Sequence, residues 1–165
     1  MSVLDVSRPT ITIERLQTKI GAESGLSRWF EITQARIDAF AEVTEDWQFI
    51  HVDPVAAKAT PFGGAIAHGF LTLSMLSAIA YDALPRVEGV AMGVNYGFDK
   101  VRFVSPVRAG ARIRGRFKLE ALTRRSPTEL QAINAVTVEV EGADKPALVA
   151  QWLSLYVLAP EAAAL

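Results

Sequence analysis

Cysteine is absent from the 165 residues of this chain. That absence removes thiol nucleophiles, thiolate metal sites and disulfides together, and leaves the redox compartment open. An excess of either charge is missing too, since 17 Lys and Arg stand against 18 Asp and Glu. Nothing in that balance recruits nucleic acid. An export signal is also lacking, because Asp5 and Arg8-Pro9 stand where an apolar core would be needed, so a cytoplasmic location is the expectation. Gly63 to Tyr81 has no Asp, Glu, Lys or Arg, yet it is short for a membrane span and holds His68, Thr72, Ser74 and Ser77. It reads as a helix buried inside a globular domain, not as a membrane segment.

Half of the residues are apolar, enough for a sizeable core without disulfides or metal. The length suits one domain, residues 1–165, and leaves little room for a separate cofactor domain.

Residues 1–25 read as an N-terminal arm, with a short helix or arm from Pro9 to Ile20 and a break from Gly21 to Gly25. Trp29, Phe30 and Ile32 suggest a brief strand. Thr33 then offers a cap for a helix over Gln34 to Val43, with Ile37, Phe40, Ala41 and Thr44 on one face and Ile32 and Ile37 placed as a hydrophobic staple. Periodicity is lost over residues 45–62, where two prolines mark a structured excursion with one helical turn around Val55 to Lys58. An apolar helix follows over residues 67–84, closed by Pro85.

The second half changes character. Gly89 to Val104, Ala111 to Thr123, Glu129 to Val140 and Ala147 to Leu158 each read as strands, the main strands filling residues 89–158. From Arg112 to Glu120 every second side chain is charged, so one face of that strand meets water. Leu148, Val149, Trp152, Leu153 and Leu155 make both parities of the last strand apolar, which predicts a central strand covered on both faces. Long antiparallel strands after one very apolar helix imply an α+β fold with the sheet curled around that helix.

Asp46 and His51 supply a carboxylate and an imidazole five residues apart, a spacing that neither a strand nor a regular helix brings together. Only a segment folded back on itself lets them converge, with Phe49 and Ile50 pulled into the core as anchors. The plainer alternative is that Asp46 caps a turn and His51 makes one satisfied hydrogen bond. Asp53, before Pro54, reads as a turn cap, and His68 as a residue that orients the turn before the helix. The spacing of His51, Asp53 and His68 matches no metal motif.

The run Phe40-Ala41-Glu42-Val43-Thr44-Glu45-Asp46-Trp47-Gln48-Phe49-Ile50-His51-Val52-Asp53, followed by Pro61-Phe62-Gly63-Gly64-Ala65-Ile66-Ala67-His68-Gly69-Phe70-Leu71-Thr72-Leu73-Ser74, resembles the MaoC-like, R-specific enoyl-CoA hydratase family. Asp-x-Gln-x-Ile-His is similar to the nodulation-protein-N-like branch, and Asn95 to Phe103 and Gln151-Trp152-Leu153 also fit it. The likeness covers nearly the whole chain from Thr33 on.

That resemblance implies a hot-dog fold, a homodimer or higher oligomer whose sheets join edge to edge, and an acyl-CoA or carrier-protein thioester as substrate, with no cofactor and no metal. It implies that Asp46 and His51 hold the reacting water and that Gly69 is the oxyanion donor; Gln48, Gly64, Ala67, His68 and Ser77 are the candidate substrate contacts, with Ser74 and Ser77 otherwise bonding back to their own helix backbone. Glu45 stands where the family usually has glycine, in a position that favours a residue without a side chain. Gln48 and Phe49 replace the asparagine and proline of better-known hydratases. Two other readings compete. A thioesterase of the same fold would place a carboxylate in the body or at the start of the central helix, where here the first acid is Asp82 near its far end. A binding or regulatory hot-dog protein would hold an acyl thioester without turning it over.

Overall fold

The computed structural model describes residues 8–160, so Asp5 and the alanine-rich tail lie outside the described residues. Six antiparallel strands form the main sheet: β2 (Glu23–Leu26), β3 (Phe30–Glu31), β5 (Val90–Phe103), β6 (Arg112–Ser126), β7 (Glu129–Val140) and β8 (Leu148–Leu158). Their order is β2-β6-β7-β8-β5, with β3 also on β6. The concave face holds α5 (Gly69–Ser74) and α6 (Leu76–Ala83). Leu71, Met75, Leu76 and Ile79 pack there with Ile113, Phe117, Val136, Val138, Leu148 and Trp152. A sheet therefore wraps a central helix, as the order of elements predicts.

The four long strands fall close to their expected bounds because alternation writes them plainly. On β6, Ile113, Phe117 and Leu119 are buried, while Arg114 and Arg116 reach across the outer face to Glu139 at 2.7 and 2.9 Å. On β8 the expectation is corrected in one respect. The strand is central, but only Leu148, Ala150, Trp152 and Leu158 are buried, while Val149, Leu153 and Leu155 stay half-exposed because no element of the described residues covers the outer face.

The N-terminal arm comprises β1 (Thr10–Ile11), paired in parallel with β4 (Arg86–Val87), and α1 (Ile13–Gln17). Ile11 and Leu16 join Val87, Leu119 and Ala132 in a second, smaller core. The expected break at Gly21 to Gly25 is corrected, since β2 runs through it. Gly25 is needed for closeness, because a Cβ there would lie 2.3 Å from the Ala83 carbonyl oxygen.

Helix α2 (Gln34–Thr44) starts as expected, with Thr33 Oγ1 accepting from the Arg36 amide at 3.3 Å. The excursion holds two helical turns instead of one, α3 (Phe49–Val52) and α4 (Pro54–Ala57). Asp53 joins them, its Oδ1 accepting from the Val55 and Ala56 amides at 3.0 and 2.9 Å, which makes it the expected turn cap. The helix expected over 67–84 begins at Gly69 and is interrupted at Met75, where Ser74 Oγ donates back to the Phe70 carbonyl at 2.7 Å. No helix among the described residues is long and apolar enough to cross a membrane.

Candidate active site

The residues before the central helix are fixed by a short ladder. Ala67 N–H donates to the Val107 carbonyl at 2.7 Å, Ala109 N–H to Ala65 at 2.9 Å, and Ile66 bridges Arg108. This holds the start of α5 against the loop between β5 and β6.

The excursion is then tied to that start. The Ile66 amide donates to the Ile50 carbonyl at 3.0 Å, and His51 Nδ1 lies 2.7 Å from the Ile66 carbonyl oxygen. A carbonyl can only accept, so Nδ1 carries the proton and Nε2 is left with its lone pair. From the other side, Gln34 Nε2 donates to the His51 carbonyl at 2.8 Å. His68 Nε2 donates to the Asp46 carbonyl at 3.0 Å.

The anchoring differs from the expectation here. Of the expected anchors Phe49 is 49 % exposed and Ile50 only half-buried, and what is buried is the imidazole of His51 itself. Polar bonds to Gln34, Ile66 and His68 do the tethering that apolar anchors were expected to do. Phe40 was visible only as a helix-face residue, yet it flanks His68 with ring centroids 5.1 Å apart. No sequence signal marks Gln34 or the Ile66 carbonyl, because a backbone acceptor has no letter of its own.

The ligand atoms of Asp46, His51 and His68 lie within 4.8 Å of one another, Asp46 exposed and both histidines buried. Asp46 Oδ1 also accepts from the Gln48 amide at 3.4 Å, so the turn-capping alternative is realised together with the convergence. The imidazoles stack with centroids 3.8 Å apart and planes at 29°. Each ring commits one nitrogen to a carbonyl. Together the three side chains are a donor set that could hold a metal ion. His68 Nδ1 is buried without a partner among the described residues.

Burial pushes the His51 imidazole below its ordinary pKa. The bond to Ile66 opposes the shift, His68 adds to it and Asp46 opposes it. The neutral ring is thereby favoured, as a proton acceptor requires.

Gly69 opens α5, where the first amides of a helix have no partner within it and point outward. A Cβ at that position would come within 3.1 Å of the Phe103 ring, so the backbone approaches closely here. Of the remaining candidates, Gln48 is exposed just before α3 and Gly64 is half-buried in the turn before the ladder. Ala67 is buried with its amide given to Val107. Ser77 lies further along the helix, in the wall of a cavity of about 460 Å³ that Asp46, His51 and Gly69 do not line. Asp82, the first acid of the central helix, is bound by the Arg28 amide at 2.7 Å and its guanidinium at 3.2 Å.

A family model for the MaoC like domain matches residues 15–141. Nodulation protein N of Rhizobium meliloti is 48 % identical over 152 residues, covering 92 % of this chain and 94 % of that protein. The 3-hydroxyacyl-thioester dehydratase Z of Mycobacterium tuberculosis is 42 % identical over 146 residues, covering 88 % and 96 %. Among solved structures, a monoamine oxidase regulatory protein of Archaeoglobus fulgidus superposes with a TM-score of 0.74 at 25 % identity, covering 93 % of this chain and 99 % of that one. Sequence, sheet and helix entry agree: the chain is a hot-dog protein of the MaoC-like dehydratase family, in its nodulation-protein-N-like branch.

Proposed function

We propose that the protein adds water to a trans-2-enoyl thioester to give an (R)-3-hydroxyacyl thioester, and runs the reverse dehydration. One observation carries this reading. A buried, neutral-tending imidazole with its Nε2 lone pair uncommitted stands beside the Asp46 carboxylate, at the entry to the helix that Gly69 begins.

Water is a poor nucleophile at neutral pH. In this reading Asp46 accepts one hydrogen of the water and orients it, while His51 Nε2 takes the other as the oxygen bonds to the β-carbon. The π electrons move onto the thioester oxygen, where the Gly69 amide receives the charge. The enolate then collapses as the dyad delivers a proton to the α-carbon, so that one molecule of water is added in total. A positioned acid and base is typically worth roughly 10²–10⁴-fold in rate.

The thioester carrier is coenzyme A or an acyl-carrier protein. The protein works as a homodimer through β5, which ends the sheet and carries the exposed Met92, Val94 and Tyr96. The test is a hydration assay on trans-2-enoyl-CoA substrates of several lengths with chiral analysis of the product. Asp46→Asn and His51→Ala should each remove most of the activity while the circular dichroism stays native. Full activity in both variants would overturn the mechanism. Release of free coenzyme A would favour a thioesterase, and thermal stabilisation by acyl-CoA without turnover a binding protein.

A further inference from the structure

Along the inner face of β7, Leu130, Ala132, Val136 and Val138 are buried and apolar, and Asn134 interrupts them. It is 4 % exposed, yet its carboxamide makes no hydrogen bond among the described residues. Its polar atoms are not sealed in the core but open to a cavity, where water or a ligand supplies the partner.

The carboxamide lines the cavity of about 460 Å³ already met at Ser77, together with Ala80, Asn95, Ser154 and Tyr156. The helix axis that starts at Gly69 reaches Ser77 about 12 Å further on, at 1.5 Å per residue. Trp152 faces the same space but has given its indole N–H to Asn95 Oδ1 at 2.8 Å. Burial pushes the Tyr156 phenol above its ordinary pKa, against an opposing effect of Arg8, so it stays neutral at physiological pH. Arg8 is engaged with the carbonyls of Leu84 and Pro85. Arg8 and Arg86 also line the cavity, and the groups that Ser77, Asn134, Ser154 and Tyr156 bring to its wall are uncharged donors and acceptors, suited to a hydroxyl or carbonyl.

We infer that this cavity receives the distal part of the acyl group, and that Asn134 hydrogen-bonds a neutral oxygen carried there, which makes oxygenated acyl thioesters the preferred substrate class. The inference rests on the hydratase reading for its chemistry but has a readout independent of turnover.

That readout is calorimetric binding of saturated acyl-CoA esters from hexanoyl to dodecanoyl, each with and without a terminal hydroxyl, to the full-length protein. At the length that places the hydroxyl at Asn134, it should tighten binding about tenfold, the equivalent of one well-made hydrogen bond. Asn134→Leu should abolish that preference and bind the plain chains more tightly; Asn134→Thr, smaller and still polar, should weaken it and serves if leucine prevents folding. No preference at any length in the wild type would overturn the inference and mark the cavity as a water pocket. A preference that survives Asn134→Leu would overturn the role of Asn134. Preference without hydration of the matching trans-2-enoyl esters would leave the inference standing while the hydratase reading falls, and hydration without preference would do the reverse.

Discussion

Replacing Glu45 by glycine should stabilise the protein. Glu45 closes α2 in the left-handed region, at φ 58° and ψ 25°, the only non-glycine residue with positive φ among those described. Holding a side chain there costs roughly 1–2 kcal/mol, because its Cβ crowds the following carbonyl. Glycine removes that crowding but gives the unfolded chain more freedom, which takes back about 0.4–1 kcal/mol. The net gain is about 1 kcal/mol, and for a chain of this size each such increment moves the melting temperature by about 2–4 °C. Glu45→Ala is the control, since it discards the carboxylate but keeps the Cβ. Scanning calorimetry at one protein concentration should show a rise for Glu45→Gly and none for Glu45→Ala. Equal rises in both would refute the backbone argument and assign the effect to charge. Turnover should be unchanged in Glu45→Gly, because the Asp46 carbonyl is held by His68 and not by residue 45.

The pH dependence follows from His51. Its ordinary pKa of 6.5 is lowered by burial, so the acid limb of kcat/KM should fall below pH 6.5, and a limb above that value would contradict the role of base. Below about pH 6.5 the unfolded chain takes up the proton more readily than the folded one, so His51 should also cost stability as the pH falls, seen as a melting temperature that drops less in His51→Gln. Gly69→Ala should lose about 10²-fold in turnover, comparable to loss of an oxyanion donor, since its Cβ would press the Phe103 ring at 3.1 Å; Phe103→Ala in the same chain should recover part, and an undiminished rate in Gly69→Ala would be the contrary result. Gly115→Ala should cost roughly 1–3 kcal/mol by overpacking, because its Cβ would sit 2.3 Å from Ile79 Cγ2. Urea unfolding of Gly115→Ala, Ile79→Ala and the double variant should give less than the summed loss, and strict additivity would count against the contact.

How far the sequence could be read depends on whether each feature is written in side chains or in contacts. The alternation of Arg112 to Glu120 and the apolar run after Gly63 are local, so β6 and the central helix were legible. The strand β2 was not, because Glu23-Ser24-Gly25-Leu26 looks like a turn until Ala83 is seen against Gly25. Asp46 and His51 stood out as residue types, while their convergence rests on Gln34, Ile66 and His68, whose bonds span 15 to 22 positions. Ser77 and Asp53 show the two outcomes for candidate residues: Asp53 caps its turn, and Ser77 belongs to a wall away from the dyad.

The bonds Ile66 to Ile50, His51 to Ile66 and His68 to Asp46 lace two segments together in alternating directions. Each stitch starts on one side and ends on the other, so neither segment can peel away singly. Parting the two segments means losing three bonds donated in both directions. The spacing between dyad and helix entry is thus a clasp whose setting travels with the helix.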